Sequence, residues 1–182
     1  MTNNQKIALG LVGGAIAALL FCAFTKDWFA NRNIYGGKTK VGLRSVTTCG
    51  SYTGSETCDT QSLDEYFGRW RKSNDAIDTW LTASSITFVG ALISVAALLL
   101  VGVFGVMRHA KVGLAGKLTL LILIVTILGA ILILAKKPPG LNASWGVFLF
   151  MAGGMAGVIG AYMLTNPSTY VAVERDPDIP KL

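Results

Sequence analysis

With 182 residues, 52% of them apolar and only 14% charged, the chain has too little polar surface to clothe a water-soluble core, and it is long enough for one domain only. Lys and Arg number 16 against 10 Asp and Glu, a formal charge of +6. The cations are scattered over every polar segment instead of gathering on one element, which excludes a nucleic-acid-binding face and points to contact with lipid headgroups.

The polar segments separate four runs free of Asp, Glu, Lys, Arg and His: Ile7 to Phe24, Leu81 to Met107, Leu118 to Ala135 and Trp145 to Leu164. About 20 residues at 1.5 Å each cross a hydrocarbon core of roughly 30 Å, so each run is long enough to span a bilayer. A soluble helix keeps one charged face, and these runs have none. Backbone groups unsatisfied in lipid force all four to be helical. The expectation is an all-α membrane protein: one domain, 1–182, built as a four-transmembrane-helix bundle. The first run has only Lys6 as a charged lead and exceeds the apolar stretch of a secretory signal, so it is expected to remain as the first membrane helix.

Small residues recur at every fourth position on the first run, Gly10, Gly14 and Ala18, then Cys22. On the fourth run Gly153, Gly157 and Ala161 do the same, beside Ala152, Ala156 and Gly160. Such seams let helices approach closely in lipid, within the bundle or between copies.

The long segment 25–79 lies between the first two runs. From Val41 to Cys58 it is rich in Val, Thr and Tyr, with Gly50 and Gly54 as turn formers, which predicts strand, turn and strand. A bridge from Cys49 to Cys58 would pin that hairpin; two free thiols or half a metal site are the alternatives. Against the metal, there is no second close Cys pair, and the single His109 lies beyond the second run. Ser62 with Glu65 three residues on has the capping-box pattern. Leu63, Tyr66, Phe67, Trp70, Ile77 and Leu81 then recur at helical spacing, which predicts a juxtamembrane helix continuing into the second run. Its aromatics either lie at the surface or form a core under the loop, and Trp70, Trp80 and Trp145 suit interface anchoring.

Charge is divided along this segment. Residues 25–54 hold Lys26, Arg32, Lys38, Lys40 and Arg44 against Asp27, while residues 55–79 hold Arg69, Arg71 and Lys72 against six acids. Solvation or pairing within the loop or with a neighbour's loop would satisfy both patches. Its cations and acids nearly cancel, and long loops weigh little in the positive-inside rule, so sidedness rests on the cysteines. A disulfide persists in an oxidising compartment, which places the long loop and the short loop 136–144 outside. The linker 108–117 and the tail 165–182 then lie inside, and a multi-pass protein of the cell membrane with both termini cytoplasmic is expected. Asn142-Ala143-Ser144 is a glycosylation sequon, though it abuts the membrane. Asn166-Pro167 marks the stop of the fourth helix.

The membrane runs carry no ionisable group, and Ser84, Ser85, Thr87, Ser94, Thr119 and Thr126 are hydroxyls that commonly bond back to their own helix. No carboxylate pair, Ser-His-Asp set, phosphate-binding glycine loop or HExxH is present. No enzyme, cofactor, metal or small-molecule substrate is expected, and a small channel lacks a polar stripe to line it.

Four apolar runs, a long first loop, a short second one and Gly42-Leu43 ahead of a cysteine pair resemble the claudin and PMP-22-like superfamily, which includes epithelial membrane proteins and calcium-channel gamma subunits. That family carries an early Trp, then Gly-Leu-Trp and two cysteines on a small sheet over the bundle. Trp28, Gly42, Leu43, Cys49 and Cys58 match this pattern. Arg44 stands where the family keeps its second Trp, and a longer spacer separates it from Cys49. The resemblance implies a non-catalytic role through lateral and outer-loop contacts, structural or adhesive. Lateral association with a larger complex as an accessory subunit is the alternative. Arg44, Tyr66, Phe67 and Trp70 are the candidate loop contacts, and the partners expected are the bilayer, other membrane proteins or a second copy.

Overall fold

A computed structural model describes residues 2–32, 37–52, 55–71, 75–107 and 112–166. Helix α1 runs Asn3–Phe24 and is followed by strands β1 (Phe29–Arg32), β2 (Lys38–Val41), β3 (Ser45–Tyr52) and β4 (Ser55–Ser62). Helices α2 (Leu63–Arg71), α3 (Asp75–Val106) and α4 (Val112–Ala135) come next, then the two-residue β5 (Asn142–Ala143) and α5 (Trp145–Thr165). Among the described residues four helices, α1, α3, α4 and α5, are long and apolar enough to cross a membrane. They alternate in direction, α1 packing on α5 and α3, and α4 on α3 and α5, which closes a four-helix bundle.

The bundle interior mixes small, hydroxyl-bearing and large apolar side chains. Helix α1 buries Ala8, Val12, Ala15, Leu19 and Cys22 at three- and four-residue intervals, and α5 buries Gly153, Gly157, Gly160 and Ala161. Leu98, Leu123, Ile133, Phe150 and Leu164 fill the remaining interior, while other large apolar side chains point outward: Leu121 is 61% exposed and Phe148 64%. Three of the buried hydroxyls bond back to their own helix, Ser84 Oγ donating to the Trp80 carbonyl at 2.9 Å and Thr119 and Thr126 to those of Ala115 and Ile122 at 2.8 Å each. The buried Thr87 hydroxyl, by contrast, has no hydrogen-bond partner among the described residues. Ser94 Oγ also lies 3.2 Å from Thr126 Oγ1, joining α3 to α4.

Glycine sets the helix approaches, but not at all the positions the fourfold spacing names. A Cβ on Gly153 would sit 2.7 Å from Ala18 Cβ, and one on Gly157 3.3 Å from Ala15 Cβ. A Cβ on Gly10 or Gly14 would meet nothing within 4 Å. Those two glycines therefore take no part in packing within the bundle, because the buried stripe of α1 passes through Ala8, Val12, Ala15 and Leu19. A second, reciprocal approach joins α3 and α4, where Gly90 faces Thr126 Oγ1 and Gly129 faces Thr87 Oγ1. Helix α5 stops at Thr165 with Asn166 as its C-cap, just ahead of Pro167 in the sequence.

At the bundle end where α1 and α4 finish and α3 and α5 begin stands a five-stranded antiparallel sheet, ordered β4-β3-β2-β1-β5. The hairpin predicted from Val41 to Cys58 is its β3–β4 part, with Cys49 directly opposite Cys58 and bridged to it. Gly50 is not a turn residue: it lies inside β3, paired with Thr57. Gly54 is outside the described residues. The sheet is wider than a hairpin because β1, β2 and β5 add to it, and β5 comes from the short second loop. The juxtamembrane helix is described in two stretches, α2 and the start of α3, with residues 72–74 outside the described set. Ser62 Oγ accepts from the Glu65 amide at 3.2 Å, the predicted cap. The linker at 108–111, with His109, and the tail from Pro167 onward also lie outside the described residues.

Candidate functional site

The sheet meets the bundle at Trp28. Helix α1 ends by leaving carbonyls without helical donors; that of Phe21 accepts from the Thr25 amide at 2.9 Å, and that of Cys22 from Trp28 Nε1 at 2.6 Å. The indole is fully buried, its ring 4.9 Å from that of Phe150 on α5. The main chain of the same residue is shared between two strands: its amide donates to Val41 at 3.0 Å, and its carbonyl accepts from Ser144 at 2.8 Å. Trp28 thus ties α1, β2, the start of α5 and the second loop at one point. Cys22 is buried beside it, the small packing residue expected.

Two glycines are required by the closeness of this junction. A Cβ on Gly42 would lie 2.5 Å from the Thr25 carbonyl oxygen, and one on Gly146 2.7 Å from that of Asp27. Both clashes are with backbone, which cannot swing aside. Gly42 also donates to the Ser45 carbonyl at 2.8 Å, turning β2 into β3, and Gly146 donates to Asp27 at 3.1 Å. Leu43 is buried, and Leu63 at the start of α2 donates to the Arg44 carbonyl at 3.0 Å.

The two faces of the sheet differ. Register places Phe29, Val41 and Val46 side by side on one face, all buried. Helix α2 covers this face, with Phe67 and Trp80 ring centroids 5.3 Å apart and Phe29 6.2 Å from Trp80. Phe67 and Trp80 are therefore core residues, not surface contacts or interface anchors: the aromatics of this segment fill the space between sheet and helices. Tyr66 is half-buried against Phe67, and the side chain of Trp70 lies outside the described residues. Trp145 is 45% exposed and packs on Phe21.

The other face carries Ala30, Lys40, Thr47 and Thr60 along one rung and Lys38, Cys49 and Cys58 along another. Lys40 pairs with Asp27 at 2.8 Å, Lys26 donates to Thr60 Oγ1 at 3.1 Å, and the Thr47 and Thr60 hydroxyls are 2.9 Å apart. Asn142, of the sequon, is exposed on β5 opposite Ala30. Arg44 stands apart from both faces: it is exposed, with its guanidinium carbon 5.1 Å above the ring of Phe88 on α3.

Sequence reasoning passed over Gly146, Ser144 and Phe150, which complete the junction. A glycine immediately after Trp145, at the start of an apolar run, was the available signal. Among the described residues no group of three or more His, Cys, Asp or Glu side chains is placed to hold a metal. The arrangement offers a braced surface of polar and cationic groups. No protein-family model matches the chain, and no curated protein is significantly similar to it.

Proposed function

We propose that the chain is a four-span integral membrane protein that works without catalysis, through protein contacts made by its sheet-bearing end and by its helix surfaces. The observation that carries this reading is the junction at Trp28, Gly42 and Gly146, which fixes a sheet to the bundle and leaves one of its faces uncovered. Spanning is supported by four helices of membrane length and by the many large apolar side chains they expose, Leu121, Leu128 and Phe148 among them. The Cys49–Cys58 bridge supports placing the sheet on the oxidising side of the cell membrane, with both termini cytoplasmic. A sheet between the first two membrane-length helices, with Gly42-Leu43 ahead of the bridged pair, is also the feature by which the chain resembles claudin and PMP-22-like proteins.

Alkaline carbonate extraction of expressing cells tests insertion, and crosslinking of the full chain in mild detergent tests its contacts. The reading expects retention in the membrane pellet together with self-associated species or clustering of the expressing cells. Co-purification of one larger membrane protein at fixed ratio would favour the accessory-subunit role instead. Recovery as an inert monomer would refute both.

A further inference from the structure

Arg44 is the one loop residue at which the chain departs from the pattern it resembles, and it occupies a particular place. It sits in the turn between β2 and β3, beside Gly42, whose contact with the Thr25 backbone brings that turn down onto the end of α1. Its guanidinium lies over Phe88, and Phe88 packs edge-on against Phe24, the last residue of α1, at 5.7 Å. The cation is therefore held at the level where the first apolar helix ends. Among the described residues its guanidinium makes no hydrogen bond or ion pair, which leaves its several N–H donors for another acceptor. Phe24 itself is 67% exposed and, with Ala17, Leu20, Phe21 and Thr25, borders an open apolar depression of about 500 Å³ on the last turns of α1. A cation joined through Phe88 and Phe24 to an open apolar depression matches an amphiphile, with its anionic group on the guanidinium and its chain on the apolar side chains.

We infer that Arg44 binds the phosphate of a phospholipid headgroup in the leaflet on the sheet side, with an acyl chain against Phe24 and Leu20. Charge complementarity selects the occupant. A partner helix would fill the hollow but leave the guanidinium facing apolar side chains, whereas a phospholipid satisfies both. The contact with Phe88 keeps the guanidinium near the ring, and its planar, forked donor set matches the geometry of a phosphate.

The inference rests on the membrane-spanning reading, and its test separates the two. The full chain, Arg44→Gln and Arg44→Lys are placed in nanodiscs of equal parts phosphatidylcholine and phosphatidylglycerol. They are then transferred to detergent, and retained lipid is counted by native mass spectrometry. The parent is expected to retain phospholipid through the wash and Arg44→Gln about tenfold less, the scale of one charge-assisted contact. Arg44→Lys should fall between them, since it keeps the charge but not the fork. Inorganic phosphate in excess should leave retained lipid unchanged. Equal retention by the parent and Arg44→Gln, or displacement of lipid by inorganic phosphate alone, would overturn the site while carbonate-resistant chains left the spanning reading intact. Release of the parent chain by carbonate would overturn both.

Discussion

The sheet is held at two ends by different physics. At the bundle end, Trp28, Gly42 and Gly146 hold it by close approach: an indole donor on a helix-end carbonyl, and two glycines pressed against backbone that has no room to yield. At the far end a single covalent bond, Cys49–Cys58, ties β3 to β4 on a rung whose Cys58 is exposed. Packing constrains where the sheet stands on the bundle, while the disulfide constrains only how two of its strands pair. The junction should therefore tolerate substitution poorly, and the far end should lose stability without losing the arrangement.

The largest effect is expected from Gly42→Val. Its Cβ would meet the Thr25 carbonyl at 2.5 Å, so the sheet must lift from α1, at a cost of about 3 kcal/mol in the overpacking range. Thermal unfolding in detergent should show it, and a Tm within a degree or two of the parent would break the comparison at its strong end.

Next comes the Cys49→Ser, Cys58→Ser double variant. Opening a loop of about ten residues should remove roughly 2 to 3 kcal/mol in the chain-entropy model. Denaturant unfolding would read the loss, and a shift in gel mobility on reduction of the parent alone would confirm that the bridge forms.

Trp28→Phe keeps most of the buried ring but leaves the Cys22 carbonyl without its donor. A cost of about 2 kcal/mol follows for an orphaned buried acceptor. Equal stability of Trp28→Phe and the parent would show that ring packing on Phe150, and not the hydrogen bond, fastens the junction.

The smallest effects sharpen the same contrast inside the bundle. Gly153→Ala pushes a methyl against Ala18 and should lower stability by about 1.5 kcal/mol, while Gly10→Ala enters open space and should stay within about 0.5 kcal/mol. If Gly10→Ala instead disrupts crosslinked species in detergent while leaving Tm unchanged, its outward face serves contacts between copies.

The four helices were legible because an uncharged run of membrane length admits few other structures. The β3–β4 hairpin was legible because its β-branched residues and cysteine pair are local signals. Strands β1 and β5 were not: four and two residues long, they carry too little local pattern, and β5 acquires strand form through pairing with β1, which lies far from it in sequence. The fourfold small-residue spacing on α1 was visible, but a period of four drifts around a helix of 3.6 residues per turn. Gly10 and Gly14 thus fall off the stripe that α5 covers. Trp28, Gly42 and Leu43 stood out in the sequence, whereas Gly146 did not, because its role depends on the approach of Asp27 from another element. Phe67 and Trp80 fitted a surface as well as a core until the sheet was in place above them.

The central claim, that the junction and not the disulfide fixes the sheet to the bundle, is tested most directly by hydrogen exchange on the Cys49→Ser, Cys58→Ser variant. The amides of Trp28, Ser144 and Gly146, which donate to Val41, Trp28 and Asp27, should keep their protection while amides of β3 and β4 around the former bridge exchange faster. Loss of protection at all of these amides together would show that the bridge holds the whole sheet, and would contradict the claim.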